Sequence, residues 1–228
     1  MTEVPWAESA RREAGGIGFV AGWSYSAAVF EPLVRQLAGQ PVSAYNWPAF
    51  VDGWLGEAAV GAGECDPSIW VGWSLGGVLL LEALRRGRIA PDRLILLNAT
   101  PRFLAAPGWP GVPESEWRGL RRAAVRHPGA AVAAFRRRFS LPGVPEDTES
   151  AADVGGLDWL AQLDMRALLA DVSTPVECWL APDDPLVPVD WPSHLRLSPR
   201  VACHRFPEPG HAPWWSAPAA LAERLRKG

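Results

Sequence analysis

Short apolar runs alternate with longer segments in which apolar residues recur every three or four positions along this chain. The short runs predict buried β-strands, and the longer segments predict helices that connect them. This alternation is typical of a parallel sheet with crossover helices, so we predict an α/β fold. The predicted strands cover residues 16–21, 42–45, 69–72, 93–97, 176–180 and 201–206, and the predicted helices cover 26–37, 75–86 and 218–226.

The alternation stops between residue 101 and about residue 164, where Pro, Gly, Trp and Arg are frequent. We interpret this stretch as a short helical insertion that covers the sheet as a lid. The length of 228 residues suits one domain, so we predict a single domain over residues 1–228.

Composition narrows the class of protein. Apolar residues make up 48% of the chain and charged residues 21%, which is typical of a globular protein, and the net charge of −3 gives no reason to expect nucleic acid as a partner. The longest uncharged stretch that could be mistaken for a membrane span, residues 67–81, is too short to cross a bilayer and is broken by glycines, so no membrane span is expected. Three cysteines without paired spacing, and no apolar leader, favour a cytoplasmic protein without disulfides or a bound metal.

A candidate nucleophile lies in the segment Gly72-Trp73-Ser74-Leu75-Gly76, which fits the pattern G-x-S-x-G. A predicted strand precedes it and a predicted helix follows it, which is the context of a nucleophile elbow. The elbow would raise the Ser74 hydroxyl to the carboxyl end of the sheet. It would also place the Leu75 amide at a helix N-terminus, where it can stabilise an oxyanion. The alternative is an ordinary glycine-rich turn or a phosphate loop.

A base and an acid should follow this serine, because sheets with such an elbow carry them in the order Ser, Asp, His. His211 follows the last predicted strand and is the candidate base. The other histidines fit less well. His127 precedes any candidate acid, His194 follows the acid loop too closely, and His204 alternates with apolar residues inside a strand.

Two adjacent carboxylates, Asp183 and Asp184, follow the penultimate predicted strand. Their spacing does not separate them, because either one could orient His211 while the other stabilises a turn beside proline. A second oxyanion donor is expected in the loop after the first strand, where the Trp23 amide follows Gly22. The alternative for this segment is a plain connecting loop.

Six segments in order resemble the family of pimeloyl-[acyl-carrier protein] methyl ester carboxylesterases of biotin synthesis, and the similarity extends over nearly the whole chain. The Trp-Pro-Gly segment and the Asp-Pro-Leu-Val-Pro segment are the most discriminating. The segments are residues 20–23 (VAGW), 72–77 (GWSLGG), 109–111 (WPG), 155–157 (GGL), 184–188 (DPLVP) and 210–213 (GHAP).

The resemblance implies an α/β-hydrolase fold, with Ser74, Asp184 and His211 as the catalytic triad. It implies that Trp23 and Leu75 donate backbone N–H groups to the oxyanion and touch the substrate, together with Ser74 and His211. Phe135 and Phe139 lie where the family contacts the acyl chain. The implied reaction is hydrolysis of a methyl ester without a cofactor. Three departures are Ala21 where the family usually has His, Asn46 where it commonly has Asp, and a shorter lid.

The predicted lid is basic. Seven arginines and no acidic residue lie between Trp117 and Pro145. A basic surface beside the active site would attract an acidic acyl-carrier protein, so we predict that these arginines dock it. The alternative is a solvated helix face. The arginines are Arg118, Arg121, Arg122, Arg126, Arg136, Arg137 and Arg138.

We therefore expect a serine carboxylesterase. Two alternatives stay open at this point. The first is a general short-chain esterase or thioesterase, in which the basic lid has no special role. The second is a ligand-binding protein of the same fold without catalysis, against which the complete order of Ser, Asp and His argues.

Overall fold

The computed structural model describes residues 16–57, 67–143 and 153–226. Within these residues six strands form one sheet in the order β2-β1-β3-β4-β5-β6, and every neighbouring pair is parallel. All six predicted strands are confirmed to within two residues at either end. The strands are β1 (Ile17–Val20), β2 (Val42–Tyr45), β3 (Ile69–Trp73), β4 (Arg93–Leu97), β5 (Val176–Leu180) and β6 (Val201–Arg205).

Helices follow the strands and pack on both faces of the sheet. Their order along the described chain is α1 (Glu31–Val34), α2 (Trp47–Phe50), α3 (Leu75–Arg85), α4 (Glu114–Arg126), α5 (Pro128–Arg138), α6 (Val154–Gln162), α7 (Arg166–Asp171), α8 (Pro213–Ser216) and α9 (Pro218–Arg226).

Both faces of the central strands β1, β3 and β4 are buried, which explains why these strands are mostly apolar, whereas the edge strand β6 is partly exposed. Successive side chains of β3 point to opposite faces. Trp70 packs in the cluster that includes α3 and the lid, whereas Val71 and Trp73 pack in the cluster that includes α9. No helix among the described residues is long and apolar enough to cross a bilayer.

The predicted helix over residues 26–37 is less regular than expected. Only Glu31–Val34 is α-helical, and 3-10 turns at Ala27–Phe30 and Arg35–Leu37 flank it. Pro32 lies in the first turn of α1 and has no N–H to donate, so a regular hydrogen-bond ladder cannot run through this segment.

The pattern analysis missed the helical segment after β2. The side chain of Asn46 accepts a hydrogen bond from the Ala49 amide at 2.8 Å and so begins α2. The helix continues directly into a π-helical turn at Val51–Leu55. Asn46, one of the three departures from the family pattern, is therefore a helix cap here.

The region between β4 and β5 contains α4, α5 and α6, which we call the lid. Residues 144–152 of the predicted insertion lie outside the described residues. The two ends of the lid meet, because Arg102 and Asp164 form an isolated antiparallel bridge and an ion pair of 2.7 Å. Arg166 binds the same carboxylate at 2.7 Å. The bridge and the ion pairs thus hold the two ends of the lid together.

Candidate active site

Ser74 lies on the turn between β3 and α3, with φ 54° and ψ −119°. A non-glycine residue at positive φ is strained and persists only where the surrounding structure supports it. The Ser74 amide donates to the carbonyl of Leu97 at 3.0 Å. A Cβ on Gly76 would lie 2.1 Å from the Val20 carbonyl oxygen, so only glycine lets α3 begin this close to β1. The turn therefore has the geometry of a nucleophile elbow.

His211 lies in the loop after β6, and its Nδ1 atom is 2.8 Å from Oδ2 of Asp184. The side chains are 2% and 0% exposed, respectively. The indole Nε1 of Trp73 donates to the His211 carbonyl at 2.8 Å, which anchors the loop to the end of β3. Asp183 has φ 54° and is exposed, and no hydrogen bond to His211 is formed by its side chain within the described residues. Asp184 is therefore the carboxylate that contacts the histidine.

Both oxygens of Asp184 accept hydrogen bonds. Oδ1 accepts from the amides of Leu186 and Val187 at 2.8 and 3.1 Å, and Oδ2 accepts from Asn98 Nδ2 at 2.6 Å in addition to its contact with His211. Burial raises the pKa of Asp184, but His211, Asn98 and the Leu186 amide together outweigh it, so the pKa lies below its usual value. The carboxylate is therefore ionised at neutral pH.

Asn98 is a residue of this site that the sequence interpretation missed. It follows β4, is fully buried and has φ 43°. Its Nδ2 donates to Asp184 and also to the Gly210 carbonyl at 3.1 Å, one residue before His211. Asn98 thus ties the loops after β4, β5 and β6 together. Asn98 belongs to no catalytic motif. The one feature of the sequence that could have identified it as a site residue is its position at the end of a central strand.

Ser74 and His211 line the same small cavity of about 20 Å³, together with Gly22 and Trp23. This volume suits about one water molecule. A Cβ on Gly22 would lie 3.2 Å from Cβ of Ser74, which shows how closely this loop approaches the serine. Within the described parts of the chain, neither the Trp23 amide nor the Leu75 amide donates to a backbone carbonyl. Both N–H groups are therefore available beside Ser74.

A larger groove of about 750 Å³ runs between the lid and the loop after β5. It shares four wall residues with the small cavity, so the two spaces adjoin. Phe139 and Trp117 line the groove but not the small cavity. A groove of this size with mostly apolar walls suits an extended acyl chain. The shared residues are Phe103, Leu120, Phe135 and Leu186.

Several lid arginines are neutralised by acids outside the window of residues 117–145. Arg118 pairs with Glu114 at 2.7 Å, and Arg138 pairs with Glu116 at 2.9 Å. A third pair of 2.6 Å joins Arg121 of α4 to Asp158 of α6. The local excess of positive charge is therefore smaller than the sequence window suggested.

The remaining four arginines separate into two groups. Arg136 points inward and donates to the Ser24 carbonyl. Arg122, Arg126 and Arg137 form no ion pair within the part of the chain that the structure describes, and all three are exposed. These three remain as candidates for contact with an acidic partner.

The other histidines lie away from Ser74. His204 of β6 stacks on Trp179 of β5, with ring centroids 4.5 Å apart. His194 lies 3.8 Å from Asp190, and His127 separates α4 from α5. Among residues 16–57, 67–143 and 153–226, no cluster of three or more His, Cys, Asp or Glu side chains is arranged to hold a metal ion.

A parallel sheet, an elbow serine and a buried Asp–His pair after the last two strands are features of the α/β hydrolases. A family model described as "Alpha/beta hydrolase family" matches residues 16–224, and the chain belongs to this family. Two solved structures share the fold. An esterase from Exiguobacterium antarcticum has a TM-score of 0.73 at 18% identity, with 94% of this chain and 92% of that chain covered. An enol-lactonase from Burkholderia xenovorans has a TM-score of 0.68 at 15% identity, with 94% and 91% covered.

Relatives named pimeloyl-[acyl-carrier protein] methyl ester esterase confirm the resemblance seen in the motifs. The protein from Aromatoleum aromaticum is 32% identical, and the match covers 86% of each chain. The protein from Methylococcus capsulatus is 35% identical over 65% of this chain, and the match spans 65% of that relative's length. The relatives and the shared fold together support an esterase of the alpha/beta hydrolase family.

Proposed function

We propose that this protein is a serine carboxylesterase that hydrolyses the methyl ester of an acyl chain carried by an acyl-carrier protein, with pimeloyl-[acyl-carrier protein] methyl ester of biotin synthesis as the substrate. The observation that carries the proposal is the buried His211–Asp184 pair beside the elbow serine, at the end of an apolar groove. The names of the relatives support the choice of ester.

In the proposed mechanism, His211 Nε2 takes the proton of the Ser74 hydroxyl while the serine oxygen attacks the ester carbonyl. Asp184 accepts from Nδ1–H, which keeps Nε2 free as the base and stabilises the imidazolium that forms. The amides of Trp23 and Leu75 stabilise the oxyanion, and each such donor contributes about 2.7–4 kcal/mol in enzymes where it has been removed.

The tetrahedral intermediate then collapses. His211 returns the proton to the leaving methoxide, so methanol departs and an acyl-serine remains. A water molecule, activated by the same histidine, attacks the acyl carbonyl, and the free acid leaves while the serine recovers its proton. The proposed chemistry is complete with these side chains and requires neither a metal nor an organic cofactor.

The Ser74→Ala variant tests the nucleophile. We expect turnover of a short p-nitrophenyl ester to be abolished while circular dichroism shows an unchanged fold. Ser193→Ala is a matched control, because Ser193 is exposed and its hydroxyl donates to the Asp190 carbonyl within its own turn. Activity of Ser74→Ala within tenfold of wild type would contradict the assignment. If the wild type released no p-nitrophenol at all, the result would instead favour the non-catalytic ligand-binding protein.

A general short-chain esterase or thioesterase is the second candidate, and the acidic partners of Arg118, Arg121 and Arg138 favour it because they reduce the basic surface of the lid. The two candidates differ in their preferred substrate. We expect pimeloyl-carrier methyl ester to be hydrolysed with a higher kcat/KM than free dimethyl pimelate. Equal values would favour the general esterase.

A further inference from the structure

The loop that carries the Trp23 amide, residues 21–25, is held by side chains of the lid. Arg136 of α5 donates from its guanidinium to the Ser24 carbonyl and lies over the Tyr25 ring, 4.1 Å from its centroid. Ser24 is fully buried and has φ 71°, a conformation that a serine keeps only where other groups support it. Ala21, at the start of the loop, has no polar side chain that could hold it from within.

Trp23 itself is enclosed by the lid. Its indole Nε1 donates to the Asp153 carbonyl at 3.0 Å, and its ring meets the Phe135 ring edge to face, with centroids 5.0 Å apart. A Cβ on Gly156 of α6 would lie 2.7 Å from Cδ1 of Trp23 and 3.0 Å from Cδ2 of Leu75. The lid therefore packs against both residues whose amides are the proposed oxyanion donors.

Tyr25 is the third residue of this loop that contacts the lid. Its hydroxyl donates to the Pro142 carbonyl at 2.6 Å, just after α5. Burial raises the pKa of Tyr25 to about 12, although the nearby Arg136 acts in the opposite direction, so the hydroxyl keeps its proton and this bond at neutral pH. Three consecutive residues, Trp23, Ser24 and Tyr25, are thus each bonded to the lid.

We propose that Arg136 is a positioning residue, which holds residues 21–25 so that the Trp23 amide faces the ester oxygen, and that the lid completes the oxyanion hole in this way. The inference rests on the proposed esterase function. A hydrogen bond from a charged donor to a carbonyl is stronger and more directional than a neutral one, so Arg136 fixes the backbone of Ser24 firmly. A shift of about 1 Å in such a donor can cost about 10²-fold in rate.

Arg136 and Arg226 form a matched pair for the test. Each lies near the end of a helix and donates to a backbone carbonyl, but Arg226 is exposed and its acceptor is the Ala222 carbonyl of its own helix, α9. For Arg136→Ala we expect kcat on a p-nitrophenyl ester to fall about 10- to 100-fold with KM within about threefold, a smaller loss than the roughly 10²–10³-fold of removing a donor outright. Arg226→Ala should behave as wild type.

Two further measurements separate positioning from folding. A trifluoromethyl ketone, which forms a tetrahedral adduct with the serine and needs the oxyanion donors, should bind Arg136→Ala more weakly by the same factor as kcat falls. The free product acid should bind both proteins equally. Added ethylguanidinium should restore part of the lost kcat of Arg136→Ala and none of the activity of Ser74→Ala. Arg136→Lys, which keeps the charge, should lose less activity and serves if Arg136→Ala is unstable.

Equal activity of Arg136→Ala and Arg226→Ala would overturn the inference while leaving the esterase assignment intact. A loss of activity with unchanged affinity for the ketone and no rescue by ethylguanidinium would also overturn it, because it would show general damage to the fold. A wild-type protein without esterase activity would overturn the proposed function and this inference together.

Discussion

Replacing Asp184 by asparagine exchanges a carboxylate that only accepts hydrogen bonds for an amide that must also donate. In one orientation the new NH₂ group faces Asn98 Nδ2 and His211 Nδ1, which lie 2.6 and 2.8 Å from Oδ2. In the other it faces the amides of Leu186 and Val187, 2.8 and 3.1 Å from Oδ1. Neither orientation satisfies all four neighbours.

The first orientation is the less costly one. The second leaves two buried backbone donors without an acceptor, at about 1–3 kcal/mol each. In the first orientation, the side-chain amide of Asn98 can flip so that its Oδ1 accepts from the new NH₂ group, because this oxygen has no partner within the described residues. His211 must then accept at Nδ1 and carry its proton on Nε2, the wrong tautomer for a base. We therefore expect kcat to fall about 10⁴-fold, which corresponds to about 5.4 kcal/mol of transition-state stabilisation.

The assay is the initial rate on p-nitrophenyl butyrate, with thermal unfolding as the fold control. Asp183→Asn is the matched control, since Asp183 has φ 54°, a conformation that asparagine tolerates well. It should retain activity within about threefold of wild type. If Asp183→Asn were the crippling change, or if Asp184→Asn stayed within tenfold of wild type, the reasoning from the four hydrogen bonds would be refuted.

Three further predictions follow from neighbouring features. Asn98→Ala should lower kcat about tenfold with little change in KM, because the Asp184 and Gly210 loops lose a shared donor worth about 1.5–3 kcal/mol. Steady-state kinetics would measure this loss, and an unchanged kcat would contradict the prediction. Hydrogen bonds from Arg166, opposed by burial and assisted by Arg102, lower the pKa of Asp164 to about 2. Its stabilising effect is therefore complete above about pH 4 and is lost as the pH falls toward 2, so Asp164→Asn should cost about 1 kcal/mol at pH 7 and flatten the acid side of a denaturation profile. Hydrolysis of a carrier-bound ester should decline with salt, and Arg122→Glu with Arg126→Glu should raise its KM while a small neutral ester is unaffected; equal losses on both esters would point to damage of the lid instead.

The sheet was predictable from the sequence because its signals are local. Strands buried on both faces appear as short apolar runs, and the turn at Ser74 appears as a motif between a strand and a helix. The irregular helix around Pro32 and the helix after Asn46 were harder, since one proline or one capping side chain decides each of them. In such segments the average periodicity of apolar residues carries little information about where a helix begins and ends.

The site was predictable only as far as motifs extend. The order of Ser, Asp and His is visible in the chain, but spacing alone did not separate the two adjacent aspartates. The family resemblance implied Asp184, and the direction of its side chain agrees with that choice. Asn98 and Arg136 act through contacts with residues 86 and 112 positions away in sequence. No local pattern records such contacts, and this is also why the acidic partner of Arg121, on α6, was not foreseen.

The bridge between Arg102 and Asp164 has a consequence for how such a protein can change over evolutionary time. Since it joins the two ends of a segment that enters no strand, the residues between positions 102 and 164 can be lengthened, shortened or exchanged without altering the register of any strand. Substrate range could then diverge while the proposed triad stays where it is. A replacement segment would still have to hold residues 23–25, which the present lid bonds through Asp153, Arg136 and Pro142.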